Sequence, residues 1–124
     1  MKILLYSKLK HGAGKLLENV VETVVPKERM EIHRTVDSLS RRLRQPANDL
    51  NIAILLTATG EDLLSILSII DLLEDLRIIL VLPDRDSDTI SKGHRLRPRF
   101  LTYADSDLAE VGAVLERMLG VQPI

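Results

Sequence analysis

The chain has no cysteine. That excludes disulfides, thiolate metal sites and cysteine nucleophiles, and it makes a reducing, cytoplasmic compartment the expectation. Tryptophan is absent, and the aromatics are Tyr6, Phe100 and Tyr103 alone. Platforms on which single-stranded nucleic acid stacks are hard to build from so few. No apolar run approaches the ~20 residues of a membrane-spanning helix. The richest stretch, Leu63–Leu76, is interrupted by Ser65, Ser68, Asp71, Glu74 and Asp75. The apolar residues between Lys2 and Ser7 are too few for the core of a secretory leader. Neither sign of charge dominates: the net charge is −1, so no global field draws nucleic acid or an acidic membrane.

What is present is an alternation. Five short apolar runs, Ile3–Tyr6, Met30–Thr35, Ile52–Thr57, Ile78–Leu82 and Phe100–Tyr103, alternate with helix-like segments. Such a pattern predicts an α/β fold with a parallel sheet. At 124 residues one domain is expected, spanning 1–120 with a short tail at 121–124. The first helix carries Leu16, Leu17, Val20, Val21, Val24 and Val25 as a single stripe. Pro26 ends it. A second helix, about Asp37 to Arg44, turns Leu39 and Leu43 inward and Arg41, Arg42 and Arg44 outward. The third covers Asp62 to about Glu74. Polar Asp84–Arg97, with Gly93 inside it, predicts a short or irregular fourth helix. A fifth starts near Asp107, where Asp107 and Glu110 have capping-box spacing, and buries Leu108, Val111, Val114, Leu115 and Met118.

Strand character predicts strand order. Runs one, three and four are wholly apolar and belong at the centre of the sheet. Runs two and five are mixed and belong at its edges. With right-handed crossovers the order is 2-1-3-4-5, a (βα)5 three-layer sandwich. Helices one and five cover one face and the others cover the opposite face. Ser7–Lys10 and Thr57–Gly60 then flank the crevice where strand order reverses.

Five βα units, about 120 residues and this order resemble the receiver domain of two-component response regulators. The resemblance spans nearly the whole chain and is one of pattern and length. Receivers carry acids just after strand one to hold magnesium; here that place reads Ser7-Lys8-Leu9-Lys10. Their phospho-accepting Asp ends strand three; here Leu56 is followed by Thr57-Ala58-Thr59. A Ser or Thr ends their strand four, where this chain has Leu82-Pro83. A Lys-Pro follows their strand five, where this chain has Thr102-Tyr103-Ala104. Magnesium needs carboxylate oxygens and an acyl phosphate needs a carboxylate nucleophile. Ser7, Lys8, Thr57, Thr59 and Thr102 therefore mark a degenerate receiver pocket, with no metal, no cofactor and no catalytic residue. The resemblance implies a pseudo-receiver: a non-enzymatic signalling module that binds protein, as a homodimer. Its candidate contacts are the face of segment four, strand five and helix five, or the apolar third helix through Leu64, Ile66, Ile69 and Leu73.

The alternative is a small flavodoxin-like binder of an anionic ligand or nucleotide. Its site is the loop with Lys10, Gly12, Gly14 and Lys15, whose helix-start amides can hold an anion, beside Thr57 and Thr59. The loop has neither Walker nor three-glycine dinucleotide spacing. Two basic clusters, Arg34/Arg41/Arg42/Arg44 and Lys92/Arg95/Arg97/Arg99, read as solvated or ion-paired faces. Without a nucleic-acid motif they argue against DNA or RNA as a partner. His11, His33 and His94 are isolated and have no metal-ligand spacing.

Overall fold

Ile3–Tyr6 can be apolar throughout only if a strand is covered on both faces, and these residues form the middle of β1 (Lys2–Ser7). The computed structural model describes residues 2–46 and 49–120; the expected tail at 121–124 lies outside them. After β1 come α1 (Ala13–Val24), β2 (Met30–His33), α2 (Val36–Leu43), β3 (Leu50–Leu56) and α3 (Gly60–Leu67). Then follow β4 (Arg77–Leu82), α4 (Ser87–His94), β5 (Phe100–Tyr103) and α5 (Ala109–Met118). All strand pairs are parallel and the sheet order is β2-β1-β3-β4-β5, as the strand character predicts.

Alternate side chains along each strand feed two cores. Ile3, Leu5, Ile52, Ile54, Leu56, Ile79 and Val81 meet α1 and α5. Leu4, Tyr6, Ala53, Leu55, Leu80 and Leu82 meet the side covered by α2, α3 and α4. Leu108, Val111, Val114 and Leu115 are buried as expected.

Three helix expectations are corrected. The third helix is not continuous to Glu74. It ends at Leu67, and a 3-10 turn, Ile70–Leu73, follows. Ser65 and Ser68 bond back to the carbonyls of Glu61 and Ser65, which competes with regular helix continuation. The break turns the broad apolar surface inward. Ile66 and Leu73 are buried, Ile69 is half-buried, and only Leu64 of the four expected contact residues is exposed. The fourth helix is short, one of the two forms expected, and it is regular, with Gly93 set against Leu80 and Leu82. In α1 the buried line is Gly14, Leu17 and Val21, which leaves Leu16 59% exposed. The Asp107–Glu110 capping box does not form; Asp107 instead accepts from the Ala109 N–H.

Arg42 does not point outward. It grips Glu31 of β2 through Nε at 2.7 Å and Nη2 at 2.9 Å, and fastens α2 to the edge strand. The hydrogen bond from Arg42 lowers the Glu31 carboxyl below its ordinary 4.5. A lowered carboxyl contributes stability above its unfolded value and loses it as acid protonates the folded group. Solvent screening keeps the pair below about 1 kcal/mol. In urea unfolding, Glu31→Gln is therefore expected to be less stable than the parent at pH 7, with the gap closing below pH 4.5. A gap that persists at low pH would rule this account out.

Candidate functional site

The crevice between the ends of β1 and β3 is where the strand order reverses, the usual ligand position in such folds. Ser7 is buried, and its hydroxyl bonds both the N–H and the carbonyl of Leu9, at 3.1 Å each. Thr57 is buried too. Its Oγ1 donates to the Val81 carbonyl at 2.8 Å and its N–H reaches the same oxygen, which extends the β3–β4 ladder by one residue. Thr59 caps α3 by accepting from the Asp62 N–H. These hydroxyls serve the backbone.

Ser7, Leu56, Val81 and Thr102 lie in one row across the sheet. Three strand spacings put Ser7 and Thr102 roughly 14 Å apart, so Thr102 does not share the crevice with Ser7.

The residue that organises the crevice is Asp62. It is 2% exposed and is the only buried acid among the described residues. Oδ1 accepts from the Tyr6 hydroxyl at 2.5 Å, and Oδ2 accepts from the Ala58 N–H at 3.0 Å. The Lys8 ammonium lies 3.6 Å from Oδ1. Burial, reinforced by the Asp62 hydrogen bond, raises the Tyr6 phenol well above its ordinary value, so Tyr6 stays a donor. The sequence marks Asp62 only as the start of the third helix. Two signals pointed to it: the Thr-x-x-Asp spacing after a strand, and a tyrosine in a buried strand that needs a partner for its hydroxyl.

The acids leaving β4 and β5 do not join it. Asp84 accepts from the Asp86 N–H. Asp105 takes both of its bonds, 2.7 and 2.8 Å, from Arg85, whose guanidinium also lies 4.3 Å over the Tyr103 ring. Among the described residues no three His, Asp or Glu side chains converge as metal ligands do.

The glycine–lysine loop has a backbone logic. Gly12 adopts φ +59 before α1, a region that glycine enters freely. A Cβ at Gly14 would lie 2.1 Å from the Leu9 carbonyl oxygen. Arg34 spans the carbonyls of Ser7 and Leu9 and reaches Glu18 at 3.3 Å. Lys10 and Lys15 are exposed. Neither glycine needs a bound anion to account for it.

No protein-family model matches the chain, and no curated protein does. Solved structures do. A pilus assembly-related protein from Burkholderia pseudomallei superposes with a TM-score of 0.67 at 19% identity, covering 97% of this chain and 90% of that one. A response regulator from Thermotoga maritima gives 0.63 at 10%, covering 96% and 97%. A response regulator from Burkholderia pseudomallei, with a phosphorylated aspartic acid, calcium and citrate, gives 0.63 at 12%, covering 99% and 75%. Among the described residues no helix is long and apolar enough to cross a membrane. Likenesses at these identities bear on architecture, and with the strand order they agree on it: the chain has a receiver-like, flavodoxin-like α/β fold.

Proposed function

We propose that this protein is a receiver-like interaction module that takes up no phosphoryl group and acts by binding protein, in the cytoplasm, without catalysis of its own. One observation carries the reading. The single buried carboxylate of the crevice, Asp62, has both oxygens engaged, by the Tyr6 hydroxyl and the Ala58 N–H, with the Lys8 ammonium at 3.6 Å. A phosphoryl-accepting carboxylate must present a free oxygen to its donor, beside a cation that neutralises the incoming charge. Asp62 presents none, and Ser7, Lys8 and Thr57 supply no second acid.

A second copy of the chain is the partner we put first. The burial of Ile66 and Leu73 speaks against the third helix as its seat, although Leu64 there is exposed. We therefore put first the face of α4, β5 and α5, the other candidate from the resemblance. Native and denaturing mass spectra after acetyl phosphate and magnesium test both halves together. The expected result is an unmodified dimer. A retained phosphoryl group would overturn the first half, and a monomer at micromolar concentration the second.

A further inference from the structure

We propose that the groove at the N-terminal ends of β4 and β5 binds a small organic polyphosphate. It lies at the opposite end of the sheet from the strand exits. Three elements each send an arginine to it: Arg77 from β4, Arg99 from the approach to β5, and Arg117 from α5. Phe100, Val114 and Met118 line the rest. Its volume of about 410 Å³ falls within the range of small-molecule pockets.

The lining of this groove holds three arginines and no acid, whereas Arg95 and Arg97 share their pocket with Asp71, Glu74 and Asp75. Arg34, Arg41, Arg42 and Arg85 each have a carboxylate within 4 Å. Among the described residues Arg99 and Arg117 have none, as is also true of Arg29, Arg44, Arg95 and Arg97. Composition does not force this excess, since the net charge is −1. Arg77 is held from two sides: its Nη1 donates to the Met118 carbonyl at the end of α5 and its Nε to Asn51 of β3, both at 3.0 Å, while Arg117 stands in the last turn of α5. Those bonds hold Arg77 in place while its Nη2 makes no protein hydrogen bond among the described residues. A fixed guanidinium with two exposed ones suits several phosphate groups, because the planar fork matches phosphate oxygens in pairs. The apolar lining, with Phe100 in it, suits a flat organic portion.

Calorimetric titration with ATP at physiological ionic strength tests the proposal. We expect saturable 1:1 binding, weakened at least ~10-fold, about 1.4 kcal/mol, in Arg99→Ala/Arg117→Ala. Both side chains are exposed, so the variant should fold, which circular dichroism checks. Lys15→Ala should bind as the parent does, and adenosine should not bind. Absence of ATP binding would overturn the proposal. So would ATP binding that survives the double variant or is lost in Lys15→Ala, and so would adenosine binding as tightly as ATP.

Discussion

Asp62→Ala is expected to lower unfolding stability by about 3 kcal/mol, because a buried donor deprived of its acceptor costs about 1–3 kcal/mol. Two donors lose theirs. The Tyr6 hydroxyl sits on a fully buried ring and the Ala58 N–H lies in the turn above it. For a domain of this size the melting temperature should fall by roughly 12 °C. Tyr6→Phe should cost about 2 kcal/mol, since it removes a hydrogen bond to a charged group. The two changes share one contact, so the double variant should lose less than their sum. Urea unfolding of the four proteins measures the coupling. Strict additivity would mean that water, rather than this pair, satisfies both groups. The raised Tyr6 phenol adds a corollary: the pair should survive pH values at which an ordinary tyrosine, near 10.0, ionises.

Gly14→Ala is expected to cost about 3 kcal/mol, at the upper end of the usual range for overpacking. The added Cβ would meet backbone, the Leu9 carbonyl oxygen at 2.1 Å, and the Leu9 Cβ at 2.7 Å. Backbone cannot swing aside as a side-chain tip can, so the start of α1 must shift off the loop at Leu9. The better helix propensity of alanine returns at most about 1 kcal/mol. Gly60→Ala is the control. It also lies in the first turn of a helix, it has open space around its Cβ, and it should be neutral or slightly stabilising. Equal melting temperatures for the two variants would show that the loop yields without cost.

Strand order was legible because burial on two faces leaves a run such as Ile52–Leu56 with no polar residue, while Met30–His33 alternates. The helix boundaries were less so. Nothing in the apolar periodicity of Leu63–Leu73 marks the place where Ser65 and Ser68 turn their hydroxyls back on the helix. The buried positions of α4 are Thr89 and Gly93, so its inner face looks like loop. Leu16 and Leu17 are adjacent, and hydrophobicity alone could not choose which of them faces the sheet. Asp62 was hidden for a different reason: its partner Tyr6 is 56 residues away, and only the fold brings the two together.

The loops at the strand exits are laced to one another. Thr57 holds β4 by the Val81 carbonyl, Arg85 ties the loop after β4 to Asp105 after β5, and Asp62 joins α3 to β1. A module tied in this way has little slack through which an event at one point could reshape another. What a cell could adjust is then how many molecules there are and where they stand. On the interaction-module reading proposed above, such a part works as a fixed connector, and its control lies in synthesis, degradation and competition for its surface.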